Sequence, residues 1–543
     1  MFFRPVAMAP QQATAETQLD QELVQIGHEV IARQKQETFS MAWRNHWRGA
    51  VWSLLISMAL WMEGFDTSLL GNFMGHPAFR ARFGTVIDGV KKIPNHTQVG
   101  LSETTICGQL VGLVITGIAQ ERYGAKRTFF WGMTALTGTI FLAVFAQNLA
   151  MLFVAGFLNG VPWGMFQTLT TAYAAEICPI NLRGYLAAWA QIAWSGGGVI
   201  ATGVLRGTLT MEGDWAWRLP YALQWLWPVP LALLVLIAPE SPWWLVRKGR
   251  YDDAKAVVRR NADRSLYGPG EVDGYVEYMK HTDALDRAEQ ARGSFLDMFR
   301  GTNRRRTEVQ IGTWVTQIFC GSAITALSVL FFEKAGMSTT LAFNFSLILT
   351  GISIFGVFLS WVLIRYFGRR TLYLSGLVII AVCNLIIATL GFTTEGTASL
   401  NAIGALMVII QFTFCATLGP VCYIIVGEIP ASRLRAQSIV LGRFSYVVIV
   451  IIVGTFNPYV TNDWGPKSGY FWMGTGLSCL VWCYFRLPET KGRSFADIDI
   501  LFANKIPARQ FATTSVDEQR EAMDKIQGGD EDVKLDAVHA ETK

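Results

Sequence analysis

Long apolar segments without a single charged residue constrain this sequence more than any other feature. Examples are 128–146, 219–238 and 371–391. A helix of about 18 or more apolar residues crosses the ~30 Å hydrocarbon layer of a bilayer. The composition agrees, because 51% of the 543 residues are hydrophobic and only 16% are charged, against about 25% in soluble proteins. The sequence therefore predicts an all-α integral membrane protein with many spans.

Twelve candidate spans can be placed, six on each side of a polar segment. They are 49–70, 100–118, 128–147, 150–174, 184–206 and 219–238, followed by 309–331, 341–364, 371–391, 400–426, 437–459 and 468–487. The predicted organisation is an N-terminal tail (1–46), a six-helix bundle (47–245), a helical linker (246–306), a second six-helix bundle (307–488) and a C-terminal tail (489–543). That tail ends in an acidic stretch of low apolar content, which is typical of disorder.

The distribution of Lys and Arg predicts the orientation in the membrane, because short cytosolic loops are enriched in both. Loops 2–3, 4–5, 8–9 and 10–11 carry nine basic residues, and the opposing short loops carry four. The long first loop on the opposing side is an exception, with Arg80, Arg82, Lys91 and Lys92. The larger bias places both termini in the cytosol, and we expect the plasma membrane.

Three pairs of similar motifs recur in one order at nearly one offset. Gly124 in "ERYGAKRT" matches Gly368 in "RYFGRRT", 244 residues later, and Glu176 in "AAEICPINLRG" matches Glu428 in "VGEIPASRLRA", 252 residues later. The third pair is "PESPWW" from 239 and "PETKGR" from 488, 249 residues apart. Such a repeat predicts two related six-helix bundles, which is an architecture for moving a solute through a central cleft.

Several function classes find no support in the residues. The first 46 residues lack the apolar core of a signal peptide, and no catalytic triad, metal-ligand cluster or phosphate-binding loop appears. The eight Cys lie in or beside apolar spans without zinc-ligand spacing. The net charge of +5 is not concentrated in a basic patch with interleaved aromatic residues, which would indicate nucleic-acid binding. We therefore expect no enzyme activity, cofactor, metal or nucleic-acid partner.

Taken together, "PESPWWL", "PETKGRS", the two Gly-basic loops and the two Glu-to-Arg spacings resemble the sugar porter family of the major facilitator superfamily. The resemblance covers about 47–495. "EGFDTSLLG", "GVPWGMFQTLTTAYAAEICPINLRGYL" and "FFEKAG" look most like fungal α-glucoside (maltose-type) permeases. The resemblance implies the major facilitator fold, a sugar or polyol as substrate, and protons as co-substrate in many fungal members. We also expect the chain to function as a monomer in the bilayer.

Two acidic residues in the first span are candidates for proton coupling. Glu63 and Asp66 lie three residues apart and therefore share a helix face, and a charge at membrane depth is by default a functional hypothesis. The resemblance places Asp66 at the position that sugar–proton symporters use, and maltose-type relatives also carry an acid at Glu63. The alternative is that Asp66 only hydrogen-bonds its neighbours. In span four, where relatives place a charged partner, this sequence has Gly156 and Phe157.

The resemblance also assigns candidates for sugar binding. Gln191 and Gln317 match positions from which relatives hydrogen-bond the sugar, although an interhelical hydrogen bond is the alternative for each. Ser322 and Ala326 stand where hexose transporters carry the larger Asn and Tyr, which would widen the cleft. Tyr423 replaces the usual stacking Trp. Arg443, inside span eleven, needs a partner, because an unpaired cation there is costly.

Charged residues at cytosolic helix ends form the third group. The resemblance implies that they close the cytosolic side when the protein faces outward, and they also anchor the topology. The candidates are Glu121, Arg122, Glu176, Arg183, Glu240, Arg369, Arg370, Glu428, Arg435 and Glu489. Most relatives have Asp at Glu121 and Arg at Ala125, and the second loop has Arg365 at its acidic position.

Three functions are compatible with the sequence. The first is a secondary transporter that imports a sugar, an α-glucoside or a hexose, by alternating access with proton symport. The second is a proton-independent facilitator or an exporter of a polyol or other small metabolite. The third is a sugar sensor without transport, which ranks lower because such sensors tend to carry long C-terminal extensions.

Overall fold

The computed structural model describes residues 10–87, 89–263, 266–292, 295–392, 397–431, 434–493 and 495–514. The predicted disorder of the acidic tail concerns residues from 515 onward, outside these ranges. The described part is built from α-helices joined by short loops, together with an antiparallel hairpin of β1 (Thr85–Ile87) and β2 (Val90–Lys92).

The helices of the first half precede or form the first six predicted spans. They are α1 Pro10–Gln36, α2 Phe39–Ser57, α3 Ala59–Phe73, α4 Pro77–Phe83, α5 Asn95–Tyr123, α6 Ala125–Val144, α7 Leu149–Ile177, α8 Ile180–Thr208, α9 Trp215–Ala222 and α10 Pro228–Ile237. A 3-10 helix, Leu223–Leu226, joins the last two. α11 Pro242–Arg247 crosses the start of the predicted linker at 246 and is grouped with the linker helices. The linker then contains α12 Tyr251–Asn261, α13 Glu271–Arg292 and a 3-10 helix, Phe295–Phe299.

The helices of the second half continue the series. They are α14 Gly301–Phe319, α15 Ser328–Lys334, α16 Thr339–Tyr366, α17 Arg369–Leu390, α18 Thr397–Ala416, α19 Leu418–Glu428, α20 Arg435–Trp464, α21 Ser468–Arg486 and α22 Phe495–Ala503. Short 3-10 helices occur at Ser322–Thr325, Gly465–Lys467 and Ala508–Gln510.

Each of the twelve predicted spans falls on these helices. The first, sixth, seventh and tenth predicted spans are each divided between two helices. Seven helical segments of the described chain are long and apolar enough to cross a membrane by length and composition alone. One of these segments, Gln437–Arg486, contains the last two predicted spans.

Backbone conformation explains where two of these helices end. Gly124 follows α5 with a φ of 90°, and Gly321 follows the end of α14 with a φ of 97°. Other residues rarely adopt such positive values, whereas glycine does so at little cost. The turn at Gly124 lets α6 begin at once, and the turn at Gly321 divides the seventh span into α14 and α15.

Glycines bring two pairs of helices into backbone contact. A Cβ atom at Gly108 or Gly112 of α5 would overlap the carbonyl oxygens of Phe157 and Val161 of α7. Gly197 of α8 lies equally close to the backbone of α3. Lipid tails are as apolar as side chains, so close packing of this kind is a main source of helix association in membranes. These glycines therefore fix the spacing of the helix pairs that carry the candidate site.

The chain divides into two compact units. The first holds residues 1–291 with 328–333 and 338–351, and the second holds 292–327, 334–337 and 352–543. The first unit thus includes most of α15 and the N-terminal part of α16. The division into two six-helix bundles around 246–306, made from the sequence, stays a prediction.

The N-terminal helix packs against the linker helices within the first unit. Val30 of α1 joins a buried apolar cluster with α11, α12 and α13, which includes Trp244, Val258 and Val276. Arg33 donates two hydrogen bonds to the carboxylate of Glu271, at 3.0 and 2.9 Å. The helix that precedes the first span is therefore held on the linker by both apolar and charged contacts.

Candidate functional site

Asp66 lies on α3 in a buried polar cluster of the first unit, with 3% of its surface exposed. The indole Nε1–H of Trp163 on α7 donates to Oδ2 at 3.2 Å, and the amide Nε2–H of Gln224 donates to Oδ1 at 2.7 Å. Both donors are neutral, and no Lys, Arg or His of the described residues forms an ion pair with Asp66. Within the described chain, the carboxylate is therefore stabilised by the dipoles of an indole N–H and an amide N–H, without a positive charge.

Glu63 lies one turn before Asp66 and is equally buried. Its Oε1 accepts a hydrogen bond from Nε2 of Gln167 on α7. Gln167 follows Trp163 by four residues, so both donors share one face of α7. Two acids on one face of α3 thus meet two donors on one face of α7.

The donors to these acids carry no motif that identifies them from the sequence. Trp163 and Gln167 stand in "VPWGMFQ", where the spacing of i and i+4 indicates only a shared helix face. Gln224 stands in the apolar stretch "YALQWLWP". An amide inside an apolar span indicates a polar partner, but which partner it meets depends on how the helices pack.

Gln191 lies on α8 and is half-buried. None of the described residues hydrogen-bonds its side chain. Two buried indole N–H groups of the same unit, those of Trp61 and Trp189, are also without a partner in the described chain. These groups supply hydrogen-bond donors and acceptors that a polar solute could use.

Gln317 lies near the end of α14 in the second unit and is 6% exposed. Its Nε2 donates to the carbonyl oxygen of Gly419 at 3.5 Å, and its Oε1 has no partner among the described residues. Ser322 follows the turn at Gly321, and its Oγ accepts from the thiol of Cys320 at 3.3 Å. The amide N–H of Gln317 therefore links α14 to α19, whereas its carbonyl oxygen has no partner among the described residues.

Tyr423 lies on α19 with half of its surface exposed. Its ring meets the ring of Trp314 edge to face, with 5.1 Å between centroids. The Arg443 guanidinium lies over the rings of Trp314 and Tyr446, at 5.6 and 4.7 Å. These rings supply partners for a cation inside span eleven, because aromatic faces attract cations. The indole N–H of Trp314 is buried and has no partner in the described chain.

Glu240 and Glu489 have matching roles in the two repeats. Oε1 of Glu240 accepts hydrogen bonds from the first two backbone N–H groups of α6, at 3.0 and 3.3 Å. Glu489 accepts from the backbone N–H groups of Arg369 and Arg370 at the start of α17, at 2.8 and 3.1 Å. A carboxylate at a helix N-terminus satisfies free donors and interacts favourably with the helix dipole. Burial nevertheless raises the pKa of Glu240, with these N–H groups opposing the rise.

The other two repeated acids form ion pairs with different partners. Glu428 pairs with Arg369 at 3.2 Å, and Glu176 pairs with Arg247 of α11 at 2.9 Å. The motif offset of 244 residues aligns Arg369 with Ala125, which has no charge to offer. In the first repeat, Arg247 of the linker therefore pairs with the repeated glutamate. In the second repeat, Arg369 at the start of α17 does so.

The remaining charged candidates have other surroundings. Arg370 donates to the carbonyl oxygen of Tyr484 at 2.7 Å. Glu121 and Arg122 are exposed and form no ion pair within the described chain. The side chains of Arg183 and Arg435 lie outside what the structure describes, so their predicted roles stay predictions.

The helix arrangement is that of the major facilitator fold, in a multi-pass integral membrane protein. The xylose transporter XylE from E. coli, in a partially occluded inward open conformation, matches with a TM-score of 0.68. The two sequences are 17% identical, and the match covers 81% of this chain and 98% of that chain. The proton:xylose symporter XylE bound to 6-bromo-6-deoxy-D-glucose also gives 0.68, with 18% identity and coverage of 84% and 100%.

A family model described as "Sugar (and other) transporter" matches residues 52–502. The chain belongs to this family, the sugar porters of the major facilitator superfamily. The general alpha-glucoside permease of Saccharomyces cerevisiae is 38% identical over 503 residues, which cover 90% of this chain and 81% of the permease. Maltose permease MAL31 of the same yeast is 39% identical over 484 residues, covering 87% and 78%. The predicted fold and family are confirmed.

Proposed function

We propose that this protein imports an α-glucoside such as maltose by alternating access, together with protons. The relatives from yeast are named as α-glucoside and maltose permeases, and one structural neighbour is described as a proton:xylose symporter. The protein would act as a monomer in the plasma membrane, with both termini in the cytosol.

The surroundings of Asp66 carry the proton part of this proposal. A buried carboxylate that is held by two neutral donors and by no cation can be protonated without leaving a buried cation unpaired, while the two donors still stabilise its charged form. A group that can be charged or neutral at the same place can bind and release a proton as the accessible side changes. Glu63, with an amide donor from Gln167, assists from the same face.

Unused hydrogen-bonding atoms support the sugar part. Sugars need donors and acceptors beside aromatic walls. In the first unit the indole N–H groups of Trp61 and Trp189 lack partners within the described chain, and the amide of Gln191 is half-buried. In the second unit Oε1 of Gln317 is unused, and the ring of Tyr423 is half-exposed.

Uptake of radiolabelled maltose and glucose in a yeast strain without sugar transporters tests the proposal. Each sugar is measured with and without a protonophore, and in an Asp66→Asn variant. Maltose uptake that falls severalfold or more both with the protonophore and in the Asp66→Asn variant supports symport with Asp66 as the coupling site. Ser322→Asn is the matched control, because it narrows the proposed sugar site and leaves Asp66 unchanged. It should alter maltose uptake while the remaining uptake stays sensitive to the protonophore.

Two results would contradict the proposal in different ways. Maltose uptake that is indifferent to the protonophore and to Asp66→Asn would indicate a facilitator. A correctly localised protein that moves neither sugar would favour a polyol, export or sensing.

A further inference from the structure

Glu103 is a buried acid that the proposed transport mechanism does not use. It lies on α5, two turns after the helix begins, within the second predicted span. Only 9% of its surface is exposed. Both carboxyl oxygens are shielded, and neither has a hydrogen-bond partner among the described residues.

This isolation sets Glu103 apart from Asp66. Asp66 receives hydrogen bonds from Trp163 and Gln224, which stabilise its charged form. Glu103 receives none within the described chain, so its charged form bears the full cost of an apolar environment. Burial without a partner therefore favours the neutral carboxyl group over the charged one, and contact with water favours the charged one.

The elements packed against α5 bring no cation to Glu103. The elements that pack most extensively against α5 are α7, α6 and α3. The segment 149–175 of α7 has no charged residue, and the two cations of α6, Lys126 and Arg127, stand at the opposite end of their span. The charged groups of α3 are the acids Glu63 and Asp66.

On α5 itself, the nearest titratable side chains also bring no positive charge next to the Glu103 carboxyl group. The thiol of Cys107 follows one turn later, and His96 precedes Glu103 by seven residues. The charged pair Glu121 and Arg122 stands at the far end of the helix. A neutral carboxyl group is therefore the stable form until the surroundings of Glu103 become hydrated.

We propose that Glu103 is a second proton-binding site of the transport cycle. This proposal rests on the proposed proton symport. Glu103 takes up one proton when water leaves its surroundings, and it releases the proton when water returns. A site that binds a proton in one conformation and not in another supplies the differential affinity that coupling requires.

A direct physical connection joins Glu103 to the Asp66 cluster. The carbonyl oxygen of Thr105, two residues after Glu103, lies against Gly160 of α7 without room for a Cβ atom. Three residues after Gly160, Trp163 donates its hydrogen bond to Asp66. A movement of α5 that hydrates Glu103 therefore shifts the helix that holds one of the two donors to Asp66.

The number of protons moved per sugar tests the proposal. The full-length protein is reconstituted in liposomes with a pH difference of one unit and the membrane potential clamped at zero. One pH unit is a tenfold ratio of proton activity, so two protons per sugar give a maltose accumulation of about 100-fold, and one proton gives about tenfold. We expect about 100-fold for the wild type and about tenfold for Glu103→Gln.

Control variants and an exchange assay complete the experiment. Glu103→Asp keeps the carboxyl group and should keep the accumulation near 100-fold, as should Cys107→Ser on the same helix. Maltose exchange without a pH gradient shows that each variant is folded and binds sugar. If Glu103→Gln fails in that assay, Glu103→Leu takes its place.

Two outcomes separate this proposal from the proposed symport. An accumulation of about tenfold by the wild type, or equal accumulation by the wild type and a functional neutral variant, would overturn the second proton site and leave the symport intact. A wild type that exchanges maltose without accumulating it would overturn both proposals.

Discussion

Three carboxylates show how the surroundings of one residue decide what it can do. Asp66 is held by two neutral side chains, and Glu240 is held by backbone N–H groups at a helix start. Glu103 has no partner in the described chain. The first can change its charge at moderate cost, the second caps a helix, and the third favours the neutral state. The same functional group therefore supports three different tasks.

Gln224→Leu tests whether the amide donor stabilises charged Asp66 during transport. A hydrogen bond to a charged group contributes about 1.5–3 kcal/mol. We expect initial maltose uptake to fall at least about tenfold at equal protein level, because 1.4 kcal/mol corresponds to a factor of about ten. In an Asp66→Asn background the same change should have little further effect. Equal losses in both backgrounds would show that Gln224 acts elsewhere.

His46 predicts a pH dependence of the region where α1, α2 and the linker helices meet. Burial lowers the pKa of His46 to about 4, from an ordinary value of 6.5. The unfolded state binds the proton first as the pH falls, so this stability is present above pH 6.5 and is lost progressively down to pH 4. The shift corresponds to about 3 kcal/mol.

Protease cleavage of this region, measured between about pH 4 and pH 7.5, checks that expectation. The rate should rise as the pH falls below 6.5, and His46→Phe should reduce the rise. His28→Phe is the matched control, because His28 is exposed. An unchanged pH dependence in His46→Phe would assign the effect to another group.

Between helices, glycine contacts hold the candidate site in place. Gly64 of α3 lies between Glu63 and Phe65 and directly faces the carbonyl oxygen of Trp194 on α8. Any side chain at this position pushes the two helices apart, which also moves the two acids on α3. The polar cluster therefore depends on a residue that has no side chain.

Gly64→Ala should destabilise the protein, and Gly117→Ala should not. Overpacking of a tight contact costs about 1–3 kcal/mol, and the contact at Gly64 is to backbone, which cannot turn aside. Around Gly117 of α5 nothing lies within 4 Å of an added Cβ, and alanine is the better helix former. Thermal unfolding in detergent should show a lower Tm for Gly64→Ala alone. Similar Tm values for both variants would contradict the packing argument.

At the scale of the full chain, the two repeats make one kind of contact, a glutamate at a helix start, in the same way. They make another, the ion pair of a repeated glutamate, with different partners. Glu240 and Glu489 bind the starts of α6 and α17 in the same way. Glu176 and Glu428 use arginines from different places, because Ala125 stands where the second repeat has Arg369. The ion pair of the first repeat thus ties α7 to the linker.

Arg247→Ala should slow transport about fivefold, since a partly exposed ion pair contributes about 1 kcal/mol. Adding Ala125→Arg should restore part of the rate by giving Glu176 the kind of partner that Glu428 has. Uptake of maltose measures both variants. Arg250→Ala removes an exposed pair with Asp253 and should have no effect. A double variant no faster than Arg247→Ala would show that the two repeats are not interchangeable here.

The linear order of residues was enough to establish the membrane class, the helical spans, the internal repeat and the family. These follow from the length of apolar runs and from motif spacing, which are local or strictly ordered along the chain. Asp66 and Glu63 also stood out as candidates, because a charge inside an apolar segment is visible without any neighbour.

In contrast, only the folded structure shows which side chains are the partners of the charged residues. Trp163 and Gln224 reach Asp66 from other parts of the first unit, and Arg247 replaces the arginine that is missing at Ala125. Spacing along one helix fixes which residues share a face. It does not fix which face of another helix lies opposite, because that depends on close contacts made by glycines far away in sequence.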